Sequence, residues 1–295
     1  MAAQILDGKS ISSAIRAEVA REAERLTTLG RPPTLAAVMV GQPPAGNIYA
    51  HSQQRLCQKV GIEYQLHQLD QHITQPALCQ HIQQLNRDPS VTGVVLLLPL
   101  PDAINPSSVQ YCIDPFKDVE GVNPANVGFV FYSQPIIAPC ASLAVVELIR
   151  HSGTTIRGAE AVVVGQGAVV GRPIGLFLLH EMATVTSCHI ATRDLAGHTR
   201  KADILVVAVG KPGLITADMI KPGAVVIDVG VNRITTPDGN QQVVGDVDFE
   251  QVSQVAGAIT PVPGGVGPLT VALLLRNTIE AARKQIERTA AGPRP

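Results

Sequence analysis

Val162-Val163-Val164-Gly165-Gln166-Gly167-Ala168-Val169-Val170-Gly171-Arg172-Pro173 decides the fold class. It follows an apolar strand, Ala161–Val164, and opens a helix that runs to about His180. The glycines between them let a ligand come close to the backbone. The helix start offers free N–H groups and a partial positive charge, which is where a dinucleotide pyrophosphate binds. The spacing is GxGxxxG rather than the commoner GxGxxG. A tight strand-to-helix turn without ligand is the plain alternative, and the strand-loop-helix context favours a nucleotide. Gly165, Gln166, Gly167, Val170, Gly171 and Pro173 are the candidate contacts.

The strand after that helix, Thr184–Cys188, should carry an acid at its end if it held the ribose hydroxyls of NAD. It continues His189-Ile190-Ala191-Thr192-Arg193, with no acid before Asp194. His189 and Arg193 suit a 2′-phosphate instead, so the pattern favours NADP and leaves NAD open; a merely solvated Arg193 is the bland alternative. Buried strands are expected at Ile204–Val209, Ala224–Val229 and Ala258–Ile259. The turns after two of them bring Val209, Gly210 and Val231 to the carboxyl ends of the sheet, where ligands sit in open parallel sheets. A helix is expected over Thr270–Arg288.

The first half alternates in the same way. Helices are expected over Ser10–Leu29, Ala45–Val60 and Pro76–Asn86, with strands at Leu35–Val40 and Gly93–Leu98. A continuous apolar run such as Gly93–Leu98 marks a strand buried on both faces. Pro99-Leu100-Pro101 then turns the chain off the sheet. Pro135–Pro139 reads as a crossing, and Ser142–His151 as a helix. Strands alternating with helices in both halves give an α/β class with parallel sheets.

Bulk properties narrow the function. The 295 residues suffice for two domains, and 23 basic against 24 acidic residues leave a net charge of −1, which gives no electrostatic case for nucleic acid or an anionic membrane. The start of the chain lacks a basic region followed by an apolar run, and no apolar run approaches a bilayer span. Cys57, Cys79, Cys112, Cys140 and Cys188 form no CxxC pair, so reduced thiols and a cytoplasmic setting are expected. The eight histidines show no ligand spacing, so no metal site is expected.

Thr260-Pro261-Val262-Pro263-Gly264-Gly265-Val266-Gly267-Pro268 is stiff at its ends and bare in its middle, which suits a flat ligand lying on the backbone; a rigid linker is the alternative. With Asp7-Gly8-Lys9, the Pro44–Tyr49 stretch, Leu98-Pro99-Leu100-Pro101, Lys117-Asp118-Val119-Glu120-Gly121, Pro139-Cys140 and the glycine loop, it occurs in an order that spans the chain. The whole resembles bifunctional methylenetetrahydrofolate dehydrogenase/methenyltetrahydrofolate cyclohydrolase. That resemblance implies a two-domain α/β homodimer with a folate cleft between the domains, facing NAD(P) in a Rossmann-like domain. It implies a folate-binding catalytic domain over residues 1–140 plus 270–295, and a nucleotide domain over 141–269. Tyr49, Leu98, Pro99, Leu100, Glu120, Pro263, Gly264 and Gly265 are then the expected substrate contacts.

The departures from the family pattern gather in the folate pocket. Gln53 stands four residues after Tyr49, where the family has its catalytic lysine. Leu97 replaces the glutamine of VQLPLP, and Glu120 replaces the second aspartate of KDVDG. Gly46 and Gly167 each replace a serine, and Ala141-Ser142 replaces Thr-Pro. Dehydrogenation removes a hydride and needs chiefly positioning, carried by Tyr49 and the pocket. Cyclohydrolysis needs proton transfer, which an amide does not provide, and losing a general acid–base group typically costs about 10²–10⁴ in rate. The sequence therefore predicts a dehydrogenase that has lost its cyclohydrolase. The alternatives are a non-catalytic folate- or nucleotide-binding partner protein, and an enzyme acting on a related pterin or one-carbon substrate.

Overall fold

The computed structural model describes residues 2–236 and 238–290. In chain order its elements begin with β1 (Gln4–Ile5), α1 (Gly8–Thr28), β2 (Thr34–Val40), α2 (Pro44–Val60), β3 (Glu63–Leu69), α3 (Gln75–Arg87) and β4 (Gly93–Leu96). They continue with α4 (Pro106–Gln110), α5 (Pro124–Phe131), α6 (Cys140–His151), β5 (Glu160–Val164), α7 (Gly171–His180), β6 (Thr184–Cys188), α8 (Leu195–Thr199) and β7 (Ile204–Val207). Last come β8 (Val225–Asp228), β9 (Asn232–Thr235), β10 (Gln241–Val244), α9 (Phe249–Val252), β11 (Ala258–Ile259) and α10 (Val266–Ala290).

Residues 2–12 and 141–270 form one compact unit. Its six-stranded sheet runs β1-β11-β8-β7-β5-β6, with every neighbouring pair parallel. Apolar residues occupy every position of β7, and β8 is apolar up to Asp228; both strands are buried throughout. Val162, Val164, Leu205, Val207, Val226 and Ile259 build the core there. From β5 the chain passes to β6 on one side, while β7 lies on the other. The strand order reverses at that point, which is where open parallel sheets bind their ligands.

The other unit comprises residues 13–140 and 271–290. Its sheet is β3-β2-β4, again parallel. β2 is buried along its whole length, and Ala36, Val38, Leu78, Ile82, Val94 and Leu96 pack in one core. Proline in the first turn starts α2 and left-handed Gly61 (φ 73°) ends it, the usual division of labour between those residues. Past the sheet, the Val94 N–H donates to the Lys117 carbonyl at 2.7 Å, and Val94 bridges Asp118 in parallel. That pairing draws the Lys117–Gly121 segment alongside β4.

Three findings differ from the sequence reading. Residues 2–12 lie with the nucleotide-side unit, because β1 pairs with β11 through Gln4↔Ala258 and Ile5↔Ile259. Cys79 and Cys112 are disulfide-bonded, with Cα atoms 5.7 Å apart, where reduced thiols were expected. The 33 residues between them hide a proximity that only α3 and the end of α4 create. Cys57, Cys140 and Cys188 are free and buried. Finally, β3 and the β9–β10 hairpin carry alternating polar residues, so neither offers a continuous apolar run.

The glycine loop divides into packed and open positions. A Cβ on Gly165 would fall 2.1 Å from the Ala208 carbonyl oxygen, and one on Gly171 would fall 1.9 Å from that of Gly165. One on Gly167 would meet nothing within 4 Å. Gly171→Ala should therefore cost about 1–3 kcal/mol in urea denaturation through forced backbone shifts. Gly167→Ala should stay within about 0.5 kcal/mol of the parent.

Candidate active site

The nucleotide side is built on the ends of β5–β8. No side chain caps the start of α7, so its first N–H groups face the loop Gly165–Val170. Gln166 is anchored, its Nε2 donating to the Val163 carbonyl at 3.1 Å, which leaves its backbone as the surface open to a ligand. Gly167 is exposed, while Gly171 and Pro173 are buried beneath the turn. After β6, the Thr192 hydroxyl accepts from the His189 N–H at 2.9 Å and His189 Nδ1 accepts from the Ala191 N–H at 3.1 Å, so the ring is fixed. Arg193 is exposed and has no hydrogen-bond or ion-pair partner among the described residues.

Two carboxylates hold the remaining loops. Asp246 Oδ2 accepts from the N–H groups of Val209 and Gly210 at 2.7 and 3.0 Å, and its Oδ1 accepts from Asn232 Nδ2 at 2.8 Å. Asp228 Oδ1 accepts from Gly230 and Asp246 at 2.9 and 3.1 Å, and its Oδ2 from Val247 at 2.9 Å. Burial raises the Asp228 carboxyl to about 6 even against these donors. Val231, Pro263, Gly264 and Gly265 meet around one cavity of about 440 Å³, together with Lys9, Asp228 and Val243. Gly8 seats the proline-glycine segment: its N–H donates to the Gly264 carbonyl at 3.0 Å, and a Cβ there would overlap Gly265. These residues fit a dinucleotide: an open cradle at Gly167, a helix start without a side-chain cap, an unpaired guanidinium and a largely apolar cavity.

The catalytic side is in the other unit. Tyr49 and Gln53 lie one turn apart on α2, so they share a face. Tyr49 is 40% exposed and Gln53 is fully buried. Tyr64 on β3 donates its hydroxyl hydrogen to Gln53 Oε1 at 3.3 Å. Leu97 is buried just past β4, while Leu98 and Pro99 are exposed at the turn. Glu120 comes to this side on the segment paired with β4, and both Tyr49 and Cys140 feel its charge. Burial, followed by the charge of Asp118, lifts the Glu120 carboxyl to about 8. Burial and then Glu120 lift the Tyr49 phenol to about 12. At neutral pH Glu120 is thus mainly protonated, able to donate a hydrogen bond as well as accept one.

Sequence reasoning missed the residues that hold this arrangement. Asp118 Oδ2 accepts from the Asn123 N–H and Asn126 Nδ2 at 2.7 and 2.9 Å, fixing the turn after Glu120. Asn277 on α10 reaches the Val119 and Ala138 carbonyls, both at 2.9 Å. An asparagine in a long helix carries no local signal of such a role.

Comparison with known proteins bears on this geometry. Residues 6–120 match the tetrahydrofolate dehydrogenase/cyclohydrolase catalytic domain, and residues 139–286 match the NAD(P)-binding domain of the same family. The chain belongs to the tetrahydrofolate dehydrogenase/cyclohydrolase family. Among its relatives, bifunctional protein FolD of Moorella thermoacetica is 50% identical over 284 residues, covering 96% of this chain and all of that one. FolD of Bordetella avium is 48% identical, covering 97% and 99%. The crystal structure of the bifunctional FolD from Campylobacter jejuni superposes with a TM-score of 0.91 at 40% identity, covering 96% of this chain and all of that one. The Trypanosoma brucei enzyme, complexed with NADP cofactor and inhibitor, also gives 0.91, at 36% identity over 98% and 100%. The expected α/β class, the parallel sheets and the NAD(P)-binding domain of the family are accordingly found. Among the described residues no helix is long and apolar enough to cross a membrane.

The raised Glu120 carboxyl has a measurable consequence. An unfolded chain ionises this group near 4.5 and the folded one near 8, so the unfolded state loses its proton first and stability falls across that interval. Glu120→Gln removes that loss. Its melting temperature relative to the parent should climb steadily as pH rises from 4.5 to 8. A constant difference would mean that Glu120 ionises normally.

Proposed function

We propose that this chain is an NADP-preferring 5,10-methylenetetrahydrofolate dehydrogenase that has lost its cyclohydrolase and works as a homodimer. The observation that carries the reading is Gln53: fully buried, on the Tyr49 face of α2, and unable to exchange a proton near neutral pH. Oxidation of the methylene bridge transfers one hydride and leaves a methenyl cation, with no proton to remove from that carbon. The bound nicotinamide supplies the hydride acceptor. Tyr49 offers a partly exposed ring for the pterin, with Glu120 near enough for its charge to be felt there. Ring opening of the methenyl cation begins with water, which must give up a proton, and position 53 supplies no group to take it. Leu97 fits this loss. A glutamine there would have to bury an amide without the lysine it serves in the family, at about 1–3 kcal/mol.

A spectrophotometric assay with methylenetetrahydrofolate and NADP tests the reading directly. Reduced nicotinamide and methenyltetrahydrofolate should accumulate together. Reduced nicotinamide rising without methenyl product would show that hydrolysis survives, and silence would remove the dehydrogenase. In the double variant Gln53→Lys with Leu97→Gln, methenyl product should fall behind reduced nicotinamide as cyclohydrolase returns.

The preference for NADP rests on Arg193, an exposed and unpaired guanidinium four residues after the fixed His189, with no acid at the end of β6. Arg193→Ala should raise KM for NADP by about 10–100-fold, the size of one charge-assisted contact of about 1.5–3 kcal/mol. KM for NAD should move less than about 2-fold. Equal effects on both would place Arg193 away from the 2′-phosphate.

A further inference from the structure

Gln53 is held at one end and unpaired at the other. Its Oε1 accepts the Tyr64 hydroxyl hydrogen at 3.3 Å. Its Nε2 is buried with no hydrogen-bond partner. Unpaired donors are rare in folded proteins, and a fully buried amide that keeps one needs a reason. The direction in which Nε2 points supplies that reason. Gln53 and Tyr49 lie one turn apart on the same face of α2, and with Oε1 taken by Tyr64 the N–H end is the one left for the Tyr49 side, where the only well-exposed member of the trio stands. Tyr64 is suited to hold the other end. Burial, followed by the nearby Cys57 and Tyr49, raises its phenol far above the ordinary value, so it stays a donor at every working pH. A donor phenol selects the oxygen of the carboxamide and turns the nitrogen away.

We propose that Tyr64 is a positioning residue that locks the Gln53 carboxamide in one orientation, so that Nε2 presents a hydrogen bond, beside Tyr49, to a neutral acceptor of the folate-type ligand, a carbonyl oxygen or ring nitrogen. The proposal rests on the folate site of the preceding section and gives position 53 a binding role where proton transfer is absent. An ammonium would bring charge to that point. The amide brings a directed neutral donor, which does not repel a cationic methenyl product.

The test is a double-mutant cycle on the full-length protein, read by titration with 5,10-methenyltetrahydrofolate and by steady-state kinetics. Tyr64→Phe should weaken binding by about 3–10-fold, the worth of one neutral hydrogen bond. It should raise KM for the folate substrate similarly, while kcat and KM for NADP stay within about 2-fold. In a Gln53→Met background, Tyr64→Phe should change binding by less than about 2-fold, because the amide it orients is gone. Gln53→Leu provides the same background should the methionine variant fold poorly, and melting curves confirm folding in each case. An equal Tyr64→Phe effect in both backgrounds, or none in the parent, overturns the proposal and leaves the folate reading intact. A parent protein that binds no methenyltetrahydrofolate overturns both.

Discussion

Buried backbone N–H groups at the ends of parallel strands must be satisfied, and in this molecule carboxylates satisfy them. Where the chain leaves the sheet it still carries donors, and the interior offers no water to receive them. In the nucleotide-side unit Asp228 and Asp246 accept from five backbone N–H groups between them, tying the loops after β7 and β8 to the strand leading to α9. In the other unit Asp118 does the same for the turn after Glu120. Each of these carboxylates is almost wholly enclosed. The loops that would touch ligands are therefore short and fixed at both ends, as a site requires when it must place reacting atoms to within a fraction of an ångström.

On that fixed frame the chain departs from the family pattern at a few positions. Gln53, Leu97 and Glu120 depart from the family pattern within one unit of the chain, while the glycine loop keeps both glycines that packing demands. Their chemistry points one way. A cation is replaced by an amide, an amide by a hydrocarbon, and a carboxyl group is kept but sits where burial holds its proton to about 8. The pocket becomes less charged at neutral pH while remaining able to form hydrogen bonds.

Much of the fold was legible because buried parallel strands leave a plain mark. The apolar runs at residues 204–209 and 224–229 and the glycine loop at 165–171 announce a nucleotide-type sheet before any contact is known. The reading erred where burial is one-sided. β3 is an edge strand with Tyr64, His67 and Gln68 among its residues, so it lacks that mark, and with it the partner of Gln53 stayed hidden. The same holds for contacts between distant segments. Asn277 with Val119, Cys79 with Cys112, and β1 with β11 join residues whose local sequence says nothing of one another. Family motifs were readable in the sequence; the residues that tie distant segments together across the fold were not.

The two-residue strand β1 has a further consequence. It occupies the free side of β11, with Ala3, Gln4 and Leu6 donating to the carbonyls of Ser253, Gly257 and Ile259 at 2.9 Å each. Without it, β11 would present an open row of donors and acceptors to solvent, backed by a strongly apolar sheet. Such an edge recruits other chains. The opening residues thus cover the side of β11 that β8 leaves free, and any change to them bears on the packing of this sheet before it bears on a ligand.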